Sequence, residues 1–480
     1  MRKSLLETKK HIYRTTAVLF LFQLFGALGA GFLFVVGNIL GIEILKPGHA
    51  FSEVLWHLFF WATDFFFIAL VMILSYLIAG LPALAPALTL GVYFAHFAGQ
   101  YAGSGFDTPL YGAFFATPRS DAGGVNIGYM GYLIMALLLG YLIKNLFALW
   151  DKIKLTAGPK LNRPIAAVQK KIKPLQDLSL DGVTLLEGID LIVLFLILPI
   201  VSAIITYCAV QYLIAVPFNA LGEALEPVIV NLYQSSNTLG GILSGALVGF
   251  DLIGPLSKAA FRAAGTLAST GNAVPMTVYA LCFAVMGWVP MAGYLLSKVT
   301  KKGGKMDTDD MNIAVSGPIN AFFDNMKLTV NFSMTFAMRD PVRVILSFIT
   351  SGALTGVLAG AFALGNKNYI TNEFIEKFLS NEIYVSFLQP MRSITATSKG
   401  LLLPVCGAVG ALAGAVVMIF LKELAYKKQL KNSSVFEPDG DIVLEVRGIS
   451  QRFNKKHPTE KTCDGEIQES DATDHLKTKA

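Results

Sequence analysis

Long apolar runs separated by short polar breaks dominate the chain as far as about residue 421. A run of about 20 mostly apolar residues can cross a bilayer as a helix. Strands of a membrane barrel would alternate apolar and polar positions in shorter segments, which this pattern does not favour. The pattern predicts an all-α polytopic membrane protein with about eight to ten transmembrane helices. Uninterrupted runs lie at 15–41, 54–79, 84–103, 127–150, 187–217, 276–298, 341–364 and 400–421.

Three further apolar segments, at 219–271, 317–338 and 384–398, are interrupted by glycines and polar side chains. Non-helical backbone at membrane depth persists only where protein buries it or where it lines a wet cavity. Secondary transporters place their substrate at such broken helices. We therefore expect re-entrant hairpins and a site for a polar solute between residues 230 and 400. The alternative is that Gly and Ser here only let helices pack closely.

Composition narrows the class, because 54% of the residues are hydrophobic and 15% are charged, against about 25% charged in ordinary soluble domains. This excludes a soluble enzyme, a nucleic-acid-binding module and a disordered chain. The net charge of +6 comes from Lys and Arg at the ends of apolar runs, as the positive-inside rule describes. We expect both termini and the basic segments 144–173, 298–305 and 422–431 to be cytoplasmic.

The same pattern divides the chain into four parts. Residues 1–150 form an N-terminal membrane half, and residues 151–185 a cytoplasmic or interfacial amphipathic linker. Residues 186–423 form a C-terminal membrane half, with the substrate part at about 217–400. Residues 424–480 are expected to be a disordered cytoplasmic tail.

Four motifs, in order, resemble one transporter family. Residues 249–260 (GFDLIGPLSKAA) resemble the segment A-F-D-M-G-G-P-V-N-K-A-A of fructose-type IIC subunits, the membrane permeases of the sugar phosphotransferase system. Residues 81–86 (LPALAP) resemble the family's R-P-G-L-A-P turn. Residues 124–141 (GVNIGYMGYLIMALLLGY) resemble its G-x-G-F-x-G-x-I-I-A-G-F-L-A-G-Y helix, and residues 336–344 (FAMRDPVRV) its F-A-A-A-D-P-L-R-V segment.

The resemblance implies an enzyme IIC-like fold and a permease (EIIC) of the bacterial cytoplasmic, or inner, membrane. It would move a hexose or hexitol inward for phosphorylation by a IIB protein, as a homodimer in the lipid bilayer with a static scaffold and a mobile transport domain. The tail lacks the family's Cys-Pro-Thr-Gly segment, and Cys463 stands in a different context. We therefore expect IIB and IIA to be separate chains. No metal, cofactor or nucleic acid is expected.

The chain departs from the family pattern where the sugar is expected to bind. The family's I-T-E-G-A-I-P segment has a Glu that is thought to hold the sugar and assist phosphorylation, and Asn331 takes its place. An amide can hydrogen-bond a hydroxyl but cannot take its proton. The family's P-H-G-G segment corresponds to about residues 396–400, which contain no His. The residues expected to contact the sugar are Asn331, Thr329, Asp251, Ser257 and Lys258, with Asn237 and Asn272 as outside candidates.

These departures keep two other functions open on the same fold. One is a non-phosphorylating sugar facilitator or proton-linked carrier, with Asp64 and His57 as a candidate proton site because they lie seven residues apart on one helix face. The other is a sugar-sensing membrane protein. Arg262 and Lys258 could pair with Asp251 or face the ligand. Asp340 and Arg343 are expected to cap a helix and form an ion pair.

Overall fold

The computed structural model describes residues 2–33, 36–37, 40–45, 51–52, 54–55, 65–94, 127–171, 190–252, 254–300, 314, 326–379, 394, 396–397 and 399–431. Within these ranges the chain is almost entirely helical, apart from turns and one isolated antiparallel bridge between Asn366 and Thr397. The prediction of an all-α polytopic membrane protein is confirmed. The tail from residue 432 onward lies outside the described residues.

Twelve α-helices can be traced within the described residues. They are α1 (Arg2–Leu33), α2 (Phe66–Ala79), α3 (Leu84–Val92), α4 (Gly128–Lys171), α5 (Asp190–Ser235), α6 (Asn237–Asp251), α7 (Pro255–Ser269), α8 (Val274–Thr300), α9 (Met326–Arg339), α10 (Pro341–Ala361), α11 (Asn372–Leu379) and α12 (Leu402–Lys431). Five stretches of the described residues are long and apolar enough to cross a membrane, and they lie in α4, α5, α8, α10 and α12. The total of eight to ten spans stays a prediction.

Four helices run further than the apolar pattern predicted. Helix α1 already begins at Arg2, and helix α12 continues to Lys431, so residues 424–431 of the segment predicted as a disordered tail are helical. Helix α4 continues to Lys171 and enters the segment predicted as a linker, because a charged stretch can stay helical once it leaves the apolar region. Helix α5 continues to Ser235, although a break was expected from residue 219. Its π-helical stretches, Val193–Ile197 and Val210–Ala215, come just before Pro199 and Pro217. The wider π-helical turns make room for the proline ring, which has no backbone N–H to donate to the carbonyl oxygen of the preceding turn.

Helices α6 and α7 form a helical hairpin in the broken segment. Each has 15 residues, so each is about 22 Å long, whereas the apolar core of a bilayer is about 30 Å thick. The chain breaks at Ser236, whose backbone is extended, and again between Asp251 and Gly254. Neither helix is long enough to cross the membrane alone, which is what a re-entrant hairpin requires.

Glycines hold the hairpin against α10 at backbone contact. Helices α6 and α10 carry glycines four residues apart. They run antiparallel, as the contacts of Gly241 with Gly356 and of Gly245 with Gly352 show. A Cβ atom at Gly245 would lie 2.0 Å from the carbonyl oxygen of Gly352, which leaves no room for any side chain. The glycines in contact are Gly241, Gly245, Gly352 and Gly356, with Gly249 against Phe348 and Gly360 against Asn237. Close packing thus explains these glycines.

The first half packs α2 between α1 and α4. The Ser75 hydroxyl of α2 donates to the Ala136 carbonyl oxygen of α4 at 3.1 Å, and the rings of Phe67 and Tyr132 stack with centroids 4.4 Å apart. A Cβ at Gly140 would lie 2.9 Å from Cβ of Ile78, so α2 and α4 are also closely packed. This packing fixes the N-terminus of α4, which meets the turn of the hairpin.

Candidate functional site

The turn of the hairpin is built around the carboxylate of Asp251, which is buried. Its Oδ2 accepts a hydrogen bond from the backbone N–H of Leu256 at 2.8 Å, in the first turn of α7. Leu252 has a φ of +50°, which a residue with a side chain rarely adopts, and Gly254 follows in an extended conformation. A Cβ at Gly254 would lie 1.9 Å from Oδ1 of Asp251, so only glycine fits there.

Asp251 ends one short helix and stabilises the start of the next. A carboxylate near a helix N-terminus binds an otherwise unpaired N–H and interacts favourably with the helix dipole. The hydroxyl of Ser257, also buried, donates to the Gly254 carbonyl oxygen at 3.0 Å. Two of the residues predicted to contact sugar therefore hold the turn together in this structure.

The first half contributes the wall opposite Asp251. Gly128, the first residue of α4, has a φ of +58°. A Cβ there would lie 2.9 Å from Oδ1 of Asp251 and 3.0 Å from Cα of Gly254. The next residue, Tyr129, is buried, and its phenol hydroxyl interacts electrostatically with the Asp251 carboxylate. The hairpin turn thus sits directly on the start of α4.

Two basic residues follow the turn on α7. Lys258 is partly exposed and interacts electrostatically with both Asp251 and Arg262. Arg262 donates through Nε to Oε2 of Glu226 on α5 at 2.7 Å, and both side chains are mostly buried. Arg262 was expected to pair with Asp251 or to face the ligand. In the structure it forms an ion pair with Glu226 on α5 instead. No sequence pattern pointed to Glu226, since it lies 36 residues from Arg262 in a segment that was expected to be broken.

Asn237 and Asn272 lie at the other end of the hairpin. The Nδ2 of Asn272 donates to Oδ1 of Asn237 at 3.3 Å, so the side chains join the start of α6 to the end of α7. The length of α6 separates them from Asp251 by about 20 Å. The structure therefore brings these two residues together but does not bring them to the turn.

Thr329 and Asn331 lie in α9, where the structure describes their backbone as helical but not their side chains. The described end of α9 packs against α1 through buried polar groups. The Nε of Arg339 donates to the Thr16 hydroxyl at 2.9 Å, and its guanidinium lies 4.9 Å from the ring centroid of Tyr13. The Gln23 amide meets the Thr335 hydroxyl. Sequence reasoning missed Gln23, although an amide within an apolar run was a signal for it.

The ion pair expected after α9 is present. Nη1 of Arg343 donates to Oδ1 of Asp340 at 2.8 Å, and Pro341 begins α10 as predicted. The Asp340 side chain makes no capping hydrogen bond to α10. His57 and Asp64 lie outside the described residues. Within the described part of the chain, no cluster of His, Cys, Asp or Glu could hold a metal ion.

An open cleft of about 430 Å³ lies at the segment that was expected to correspond to the P-H-G-G of fructose-type IIC subunits. It is lined by Ile394, Lys399, Gly400, Leu401 and Leu402, and Lys399 has a φ of +56°. The walls are mostly apolar, so the cleft has few groups that could orient a sugar.

Sequence comparison finds similar proteins that match part of the chain. A fructose-specific EIIB'BC component of the phosphotransferase system from Vibrio cholerae is 28% identical over 185 residues, which is 38% of this chain and 30% of that protein. A fructose-specific EIIABC component from Bacillus subtilis is 26% identical over 260 residues, 54% of this chain and 33% of that protein. A fructose permease IIC component from Bacillus amyloliquefaciens is 26% identical over 265 residues, covering 69% of its length.

These comparisons confirm the predicted resemblance to fructose-type IIC subunits. The chain spans about a third of the length of the relatives from Vibrio cholerae and Bacillus subtilis. No family model matches the chain. No solved structure matches it at a significant level.

Proposed function

We propose that this protein is a fructose-type IIC permease, which moves a hexose or hexitol inward across the bacterial cytoplasmic membrane. A separate IIB protein, supplied by IIA, phosphorylates the sugar from the cytoplasmic side. The observation that carries the proposal is the hairpin of two short helices with the buried Asp251 carboxylate at its turn. It lies in residues 249–260, one of the four segments that resemble the family.

The chemistry of the turn suits a polyhydroxylated ligand. A carboxylate accepts hydrogen bonds only, whereas Lys258 donates them, and a sugar hydroxyl can do both. Gly128 brings the start of α4 close to Oδ1 of Asp251, so a small movement of the hairpin relative to α4 would uncover that side of the carboxylate. The proposal places residues 217–400 in a transport domain and the first half in a scaffold, assembled as a homodimer.

Asn331 supports a second candidate, a facilitator that moves sugar without phosphorylation. An amide at this position can hold a hydroxyl but cannot accept its proton, which a phosphoryl transfer needs. In the first candidate, IIB or a group outside the described residues takes that proton. In the second, free sugar is the product.

Uptake into membrane vesicles separates the two candidates. Labelled fructose and mannitol are offered with and without phosphorylated IIB and IIA, and the contents are analysed. Sugar phosphate that appears only with IIB supports the permease, whereas free sugar that accumulates without IIB supports the facilitator. Binding without uptake indicates a sensor. Asn331→Glu should preserve or raise phosphorylation in the permease. Loss of transport in this variant, with no gain of phosphorylation, counts against it.

A further inference from the structure

Tyr129 places a buried phenol hydroxyl beside the turn of the hairpin. It is the second residue of α4, and its side chain is 0% exposed. It directly follows Gly128, where a Cβ would lie 2.9 Å from Oδ1 of Asp251. The phenol hydroxyl and the Asp251 carboxylate interact electrostatically. The hydroxyl therefore lies on the first-half side of the junction between α4 and the hairpin turn.

The hydroxyl of Tyr129 makes no hydrogen bond with any residue that the structure describes. This includes Asp251, although the carboxylate is near enough to act on the phenol through its charge. A buried hydroxyl that is left unpaired costs free energy, and nearly all such groups in native proteins have a partner. A water molecule or a hydroxyl of a ligand is small enough to be that partner.

A sugar hydroxyl can bond to both groups at once. The phenol of Tyr129 donates a hydrogen bond, whereas the ionised carboxylate of Asp251 only accepts one. An alcohol oxygen accepts from the phenol while its own O–H donates to the carboxylate. The start of α4 and the hairpin turn thus offer complementary partners to one hydroxyl, with one partner from each half of the chain.

Tyr129 and Asp251 are held by different parts of the molecule. The packing of α4 on α2 fixes Tyr129, since the ring of Tyr132, three residues further along α4, stacks on Phe67. Asp251 is fixed within the hairpin by its bond to the backbone N–H of Leu256. A hydroxyl bound to both groups is therefore held fully only while the hairpin turn rests on α4.

We propose that Tyr129 is a specificity-determining residue of the sugar site, whose phenol donates to the same sugar hydroxyl that donates to Asp251. This inference rests on the proposed function and deepens it, because it assigns a residue of the first half to sugar recognition. A site built to hydrogen-bond a hydroxyl rejects an analogue that lacks it, because the polar groups of the site are then left unpaired.

The alternative is a buried water molecule that bridges Tyr129 and Asp251 at all times. Such a water holds the junction together and takes no part in the choice of sugar. Tyr129→Phe separates the two roles, because it removes one oxygen and keeps the ring that packs in the core. Loss of a bridging water changes stability, whereas loss of a contact to the sugar changes discrimination among sugars.

The test measures binding of fructose, mannitol and the monodeoxy analogues of each to the purified full-length protein. We expect the wild type to bind one analogue more weakly than its parent sugar. Tyr129→Phe should weaken binding of the parent about tenfold and leave binding of that analogue unchanged, as the loss of one buried hydrogen bond predicts. Tyr129→Met is the second variant if Tyr129→Phe does not fold, since its flexible side chain fills the space without a hydroxyl.

Tyr132→Phe is the control, because Tyr132 is a buried tyrosine of the same helix whose ring stacks within the first half. It should keep the wild-type affinities and their ratio. A wild type that binds sugar while the Tyr129 variants keep its affinities overturns this inference alone. An equal loss for the parent and every analogue also overturns it, since that is a general effect on the site. A wild type that binds no sugar overturns the proposed function, and this inference with it.

Discussion

The carboxylate of Asp251 accepts a hydrogen bond from the backbone N–H of Leu256 at 2.8 Å, across the break between two short helices. One side chain thus ends α6 and stabilises the first turn of α7. The positive φ of Leu252 is tolerated because this bond and the burial of the Leu252 side chain hold the turn. Burying a carboxylate within an apolar membrane segment costs free energy. A role in function, beyond holding the turn, explains that cost better than a structural role alone.

Gly254→Ala should disrupt the turn of the hairpin. The added methyl would lie 1.9 Å from Oδ1 of Asp251, so the carboxylate must move and release the Leu256 amide. We expect a loss of about 1–3 kcal/mol in stability and a loss of sugar uptake. Thermal unfolding in detergent and vesicle uptake measure these effects. Unchanged values for both would show that the turn does not need a glycine.

Gly245→Ala should separate α6 from α10. Its Cβ would meet the Gly352 carbonyl oxygen at 2.0 Å, and backbone cannot move away as a side chain can. We expect a destabilisation of about 1–3 kcal/mol, measured by thermal unfolding. Gly407→Ala on α12 is the control, since its Cβ would meet only side-chain atoms, at 3.3 Å from Val285 and 3.7 Å from Leu281. Equal stability of the two variants would contradict the close packing of α6 and α10.

The ion pair of Arg262 and Glu226 should tie α7 to α5. Both side chains are less than a third exposed, so removing one leaves its partner poorly solvated. We expect Glu226→Gln and Arg262→Gln each to cost about 1.5–3 kcal/mol, and the double variant to cost less than their sum. A double-mutant cycle of unfolding midpoints measures the coupling. Additive effects would show that the two residues act independently.

His11 should make stability depend on pH below neutrality. Burial, followed by the charges of Lys144 and Arg14, lowers the pKa of His11 below its usual 6.5, against the smaller opposing effect of Glu7. The unfolded chain therefore binds the proton more readily, and His11 contributes stability that is full above pH 6.5 and lost as the pH falls. We expect His11→Gln to flatten the fall in unfolding temperature between pH 7 and pH 5. An identical fall in both proteins would contradict this.

The class of fold could be predicted from the sequence because apolar run length reports membrane crossing directly. The break around Asp251 was also predictable, since glycines and a carboxylate interrupt an apolar stretch. The bounds of α5 were not, because π-helical turns accommodate Pro199 and Pro217 without ending the helix. Polar residues alone do not mark a helix end when tertiary contacts, such as that of Glu226, stabilise them.

The candidate site was predictable residue by residue but not as an arrangement. Motif resemblance selected Asp251 and Ser257, and the structure brings them together at one turn. Asn237 and Asn272, the outside candidates, share a hydrogen bond at the opposite end of the hairpin. Gln23 and Gly128 were missed. The amide of Gln23 is unusual within an apolar run, but its contact with Thr335, and that of Gly128 with Asp251, join distant parts of the chain and cannot be read from the local sequence.

The central claim is that the charge of Asp251 serves sugar recognition as well as the hairpin turn. Asp251→Asn tests it most directly, since an amide oxygen can still accept from the Leu256 amide while the charge is lost. Glu223→Gln, an exposed acid on α5, is the control. We expect labelled fructose or mannitol to bind the Asp251 variant at least about tenfold more weakly, with the unfolding temperature close to that of the wild type. Wild-type affinity in this variant would contradict the claim and leave Asp251 a helix cap alone.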